Sequence, residues 1–206
     1  EQIGPGNCPK CGMALEPKEA TAEEDTSELD DMKRRFYVSL VFTIPVFLLA
    51  MGSHIPGVNL DTIIPRGVRS WIEMVLTIPV IAWCGLPIFR LAWLSVKSWN
   101  LNMFTLIGMG TGVAFLYSAV ATIAPGIFPE SFRTEEGHVG VYFEAAAMIM
   151  TLVLLGQVLE LRARSQTSGA IKALLGMAPK TARIVREDGT EEDIPVSQVQ
   201  TGDQLR

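Results

Sequence analysis

Cysteine is scarce: the 206 residues hold three, Cys8, Cys11 and Cys84. An odd count with one close pair excludes a disulfide framework. No basic segment followed by an apolar core opens the chain, so "EQIGPGNCPKCGM" does not read as a secretory leader. The start without methionine and the closing "TGDQLR" inside a β-rich stretch give the expectation of a piece of a longer chain. Charge is nearly absent from the middle of the sequence, although the net charge is −5. Such segregation describes a membrane protein with soluble ends, for which the mean pI says little about partners. No nucleic-acid partner is expected.

What fills the uncharged middle is apolar. Runs over 36–53, 71–89, 101–124 and 139–164 are each of the order of the ~20 residues that cross a bilayer core. The fold class read from them is mainly α, with four transmembrane helices. The second breaks at Gly85 and Pro87 and continues to residue 99 as a bent, amphipathic, interfacial helix. Residues 1–17 form a Gly/Pro/Cys knuckle, and 18–35 an acidic, solvated linker ending in Lys33, Arg34 and Arg35. Beyond the fourth span the helical pattern continues to Pro179. Two β-rich runs then flank Asp188-Gly189, a hairpin signal. Basic residues flank the spans at 33–35, at Arg90 and Lys97, and at Arg162, Arg164 and Lys172, which puts both ends in the cytoplasm.

Two carboxylates sit awkwardly in the fourth run. Glu144 and Glu160 are separated by roughly 24 Å along a helix, one near each membrane boundary. They either mark the interfaces or line an ion path, since an acidic side chain at mid-bilayer costs about 2.5–3.5 kcal/mol. Sulfur is concentrated nearby, in Met103 and Met109 of the third run, Met148 and Met150 of the fourth, and Cys84 of the second. Thioethers and thiolates select soft ions such as Cu(I); a single methionine is also an ordinary filler of irregular cores. Gly108 and Gly112 beside Met109 form a small-xxx-small pair that permits close helix contact. Arg90 and Lys97, two turns apart, are either snorkelling anchors or a docking platform for a soluble metal carrier. Cys8, Cys11 and Met13 offer three soft donors, suited to a metal more than to a redox pair because no thioredoxin-like pattern surrounds them.

In order along the chain, "GPGNCPKCGMALEP", "CGLPIFRLAW", "LNMFTLIGMGTGVAFLYS", "YFEAAAMIMTLVLLGQVLELRAR" and "AIKALLGMAPKTARIV" resemble the N-terminal half of a heavy-metal-transporting P-type ATPase. The copper(I)-exporting branch is most similar, and the first of these resembles its short heavy-metal-binding segment. The resemblance implies two family-specific helices, then two core helices, then the start of a β-rich actuator domain over 165–206. It implies a cytoplasmic capture site at Met109 and Glu160, an outward route past Glu144, and a carrier docking near Arg90 and Lys97. The transported ion would be Cu(I) or Ag(I), with ATP and Mg used by domains elsewhere in the polypeptide. The location would be a bacterial inner (plasma) membrane. Where the family's bent helix often has two glycines, this chain has Cys84-Gly85. It contains no DKTGT, TGE or Cys-Pro-Cys motif, so these residues alone are expected not to hydrolyse ATP. Rival readings are a zinc or cadmium pump of the same class, a membrane-anchored metal-binding or redox module, and a plain membrane scaffold.

Overall fold

Helix α1 (Ser27–Gly52) begins well before the apolar run it carries. Glu28 and Asp30 lie in its first turn, at the positive end of the helix dipole. Lys33 bonds Asp30 at 3.0 Å and Arg35 bonds Asp31 at 2.7 Å. These pairs, three and four residues apart, support helix where a solvated linker was expected. The structure is a computed structural model that describes residues 8, 27–52, 64–134, 137–176, 181–186 and 189–206, with side chains of the 143–176 helix only as far as 166.

The second apolar run starts earlier than read, as α2 (Arg66–Pro79), and passes into a π turn at Val80–Cys84. After Gly85 the chain resumes as α3 (Leu86–Lys97), so the expected break is present. The Gly85 N–H donates to the Val80 carbonyl, five residues back, at 2.9 Å. Pro87 has no N–H to offer the Trp83 carbonyl one turn behind it. Arg35 of α1 takes that place, donating to the Trp83 oxygen at 2.5 Å with its guanidinium 4.9 Å from the indole centroid. A Cβ on Gly85 would lie 2.8 Å from Met150 Cε and 3.0 Å from the Ile81 oxygen. Only glycine admits the next helix so closely.

Helix α3 ends without the usual glycine. Trp99 takes the left-handed conformation (φ 57°), and the Trp99 and Asn100 amides close back on Val96 and Ser95 at 3.1 Å each. That is a Schellman closure with tryptophan in the strained position. Asn102 then caps α4 (Met103–Ile123), accepting from the amides of Phe104 at 3.0 Å and Thr105 at 3.3 Å. Thr105 Oγ1 bonds Ser95 Oγ at 2.7 Å and so ties α4 to α3. The small-residue stripe does what its spacing suggests. A Cβ on Gly108 would lie 2.8 Å from that of Ala92, and one on Gly112 3.6 Å from the Phe89 ring.

Helix α5 (Phe143–Gly176) begins later than residue 139. A bridge between Arg133 and Val139 occupies the residues before it. Its pairing with α4 is antiparallel: the Tyr142 N–H donates to Ser118 Oγ at 2.7 Å, and Phe115 meets Phe143 edge-on at 5.8 Å. Thr43 and Thr151 share a buried hydrogen bond of 2.8 Å between α1 and α5. The core has two parts. At the proximal end, where α4 starts, Met32, Cys84, Ile88, Ala92, Phe104, Met150 and Leu154 are buried together; at the distal end, Val46, Met74 and Phe143 are. Among the described residues, four helical stretches, Ser27–Gly52, Arg66–Cys84, Met103–Ile123 and Phe143–Gln166, are long and apolar enough to cross a membrane.

A second unit comprises the described residues of Arg164–Arg206. Its described strands are β1 (Thr181–Val185), β2 (Glu191–Pro195) and β3 (Gln204–Leu205), antiparallel in the order β2-β1-β3. Gly189 has φ +81° in the β1–β2 turn, which is the hairpin expected at Asp188-Gly189.

Candidate metal path

Depth decides which side chains can meet. The contacts Ser118–Tyr142, Tyr117–Tyr142 and Phe115–Phe143 fix the register of α4 against α5. Followed towards the proximal end at 1.5 Å per residue, that register brings Glu160 level with the start of α4, at an axial offset of roughly 6 Å from Met103. Met109 comes level with Met150 and Thr151, roughly 15 Å deeper. Azimuth separates them further. At about 100° per residue Met109 lies opposite Ser118 on α4, whereas Met103 lies about 60° from it. Met109 is 61% exposed, on an apolar stripe with Leu106, Val113 and Leu116. On this register Met109 and Glu160 stand at different levels of the α4–α5 pair, since the phase between two helices is set by their contacts. Met103 is the thioether at the level of Glu160.

Side-chain direction favours the same partner. Side chains lean towards the start of their own helix, so Met103 leans to the proximal end and Glu160 away from it, each towards the other's level. Met103 is 57% exposed and Glu160 is also exposed, its Oε2 accepting from Gln157 Nε2 at 3.3 Å. A thioether and a carboxylate at one open level form a mixed soft–hard donor pair.

At the distal end Glu144 is half-buried in the first turn of α5. The sequence reading missed its neighbour. Glu73 of α2 is only 2% exposed, 3.8 Å from the guanidinium of Arg69, and Glu144 lies within its coulombic range. The signal was present as Arg69, Glu73 and Thr77, spaced four apart so that they share one face of α2.

The remaining expected donors divide. Cys84 is fully buried in the proximal core with Met32 and Met150. Met148 is half-buried, four residues after Glu144. Arg90 and Lys97 are both exposed on α3, and Arg90 lines a shallow groove with Leu86, Phe89, Trp93 and Leu94. Cys8 is half-buried, whereas Cys11 and Met13 lie outside the described residues. Among the described residues, no three His, Cys, Asp or Glu side chains converge as a metal cluster. The donors available to an ion among the described residues are thioethers and pairs of carboxylates.

Residues 2–18 match the heavy metal binding domain family. Over 98% of its length the chain is 56% identical to the silver exporting P-type ATPase of Salmonella typhimurium. Over its whole length it is 53% identical to the copper-exporting P-type ATPase of Legionella pneumophila. Over nearly its whole length the chain is thus similar to one part of P-type ATPases that export silver or copper. The copper-transporting P-type ATPase of Rhizobium leguminosarum bv. viciae is 52% identical over 98% of the chain. The chain spans about a quarter of the length of these P-type ATPases, 25%, 27% and 24% respectively.

Proposed function

We propose that this chain forms the ion-capturing and part of the ion-releasing portion of an ATP-driven exporter of Cu(I) or Ag(I). What supports the reading is the register set by the Ser118–Tyr142 and Phe115–Phe143 contacts, which, followed along the two helices, puts Met103 and Glu160 at a common level at the proximal end. A site of one thioether and one carboxylate holds a soft monovalent ion loosely enough to pass it on, and its sulfur disfavours hard ions. With the proximal end in the cytoplasm of a bacterial plasma membrane, the ion arrives where Arg90 and Lys97 present a basic face to a soluble copper carrier. It leaves past Glu144. ATP and Mg act on the rest of the same polypeptide, and the sheet over 181–205 opens the actuator domain that couples them to the helices. In this reading Cys8, Cys11 and Met13 bind metal ahead of the membrane. Met109, the thioether first matched to Glu160, lies outside the capture pair.

Titration of the 206-residue chain in detergent with Ag(I), after Cys8→Ser and Cys11→Ser, tests this. Met103→Leu and Glu160→Gln should each weaken the tightest binding step about tenfold, equivalent to about 1.4 kcal/mol. Met109→Leu should leave that step within about twofold. Equal losses for both methionines, or for neither, would remove the capture site from α4.

A further inference from the structure

A carboxylate buried within a membrane-spanning helix is costly and calls for a partner. Glu73 has one in Arg69, a turn before it on α2, at 3.8 Å. That separation is an ion pair longer than a direct hydrogen bond, which leaves oxygen lone pairs for another occupant. The neighbours of Glu73 and Glu144 in sequence, Met74 and Phe143, are buried in one cluster, so α2 and α5 approach each other at this depth. Thr77 supplies an independent sign. Its side chain is fully buried, and its Oγ1 has no hydrogen-bond partner among the described residues. It stands one turn beyond Glu73 on the same face and leans back towards it, as helical side chains do. An unmet buried hydroxyl costs free energy unless something outside the chain meets it.

We propose that Glu73 is the second carboxylate of the distal release site, facing Glu144, with the Thr77 hydroxyl as an added donor and Arg69 holding the Glu73 carboxylate in place. The site takes Cu(I) or Ag(I) on oxygen alone, and the proposal rests on the export reading above. Its chemistry suits release. A soft ion handed from a thioether-containing site to an all-oxygen site is bound more weakly at each step outward. Arg69 lowers the affinity further by placing a like charge beside the ion, so the ion leaves without needing a competing ligand.

Ag(I) titration of the same cysteine-free chain should resolve a second, weaker binding step. Glu73→Gln should weaken that step about fivefold, and Glu73→Gln with Glu144→Gln no more than about twofold further, the non-additivity of two groups on one ion. Glu73→Asp keeps the charge opposite Arg69 and withdraws the oxygens by one methylene; it too should weaken the second step, whether or not the Gln variant folds. A second step untouched by both Glu73 variants, but lost in Glu144→Gln, overturns the proposal and leaves the export reading intact. So does a parent chain with no second step whose first step responds to Met103→Leu. If neither Met103→Leu nor Glu160→Gln changes any step, the export reading fails and takes this proposal with it.

Discussion

The two ends of the helical unit handle polar groups in opposite ways. At the proximal end Glu160 and Met103 are exposed, and the α3–α4 turn satisfies its polar atoms internally through Asn102, Thr105 and Ser95. At the distal end Glu73 and Thr77 are buried, with one long ion pair and one unmet hydroxyl between them. Where the proximal core gives way to the distal one lies a tight waist, in which Gly85 meets Met150 and Thr43 meets Thr151. A capture site gains from being open, since the incoming ligand must reach it. A release site gains from unmet polar groups inside, because an ion drawn there finds partners without becoming tightly held.

The waist is where the contrast can be broken most forcefully. Gly85→Ala would place a methyl group 2.8 Å from Met150 Cε and 3.0 Å from the Ile81 oxygen. Overpacking of this kind costs about 1–3 kcal/mol, so the thermal midpoint in detergent should fall clearly. Gly110→Ala, with nothing within 4 Å, is the control and should not lower it.

A smaller effect compares waist and distal end through one type of substitution. Thr43→Val removes half of a buried hydrogen bond and strands Thr151, at a cost of about 1 kcal/mol. Thr77→Val removes a hydroxyl that has no partner, and should raise stability by a similar ~1 kcal/mol when no ion is bound. Midpoints moving in the same direction for both would contradict the distinction.

The slightest effect belongs to the second unit. Arg183 bonds Asp193 across β1 and β2 at 2.7 and 3.0 Å, and this hydrogen bond is the main reason the Asp193 carboxyl lies below its ordinary value. A depressed carboxyl favours the folded state above the unfolded value of about 3.9, and loses that contribution as pH falls through the folded one. Asp193→Asn should therefore lower the stability of the sheet slightly at pH 7, followed by circular dichroism, and the difference from the parent should fade below about pH 4. A difference that persists unchanged in acid would mean the pair acts through packing.

Much of the fold was legible because each feature has a local cause. Uncharged runs of bilayer length became helices, Gly85 and Pro87 became a break, and Asp188-Gly189 became a hairpin turn. The start of α1 was misjudged because Asp30 and Asp31 read as solvated acid, whereas Lys33 and Arg35 pair with them along a helix. The candidate site was less legible for a different reason. Both ends of the fourth run showed their glutamates, but which methionine stands beside Glu160 depends on how α4 is set against α5. That setting comes from Tyr142 reaching Ser118, a contact between residues far apart in sequence. Glu73 was passed over because one acid near the start of an apolar run resembles an interface residue until its burial is seen.

The π turn at Val80–Cys84 has a consequence for the groove beyond it. Such a turn carries one residue more than the α turn it replaces, so every later side chain is rotated by about 100° from where an unbroken helix would have aimed it. Arg90 and Trp93 thus take their bearing from a surplus amino acid upstream, clamped in place by Arg35 on the Trp83 carbonyl. The face that α3 presents is steered from outside its own sequence.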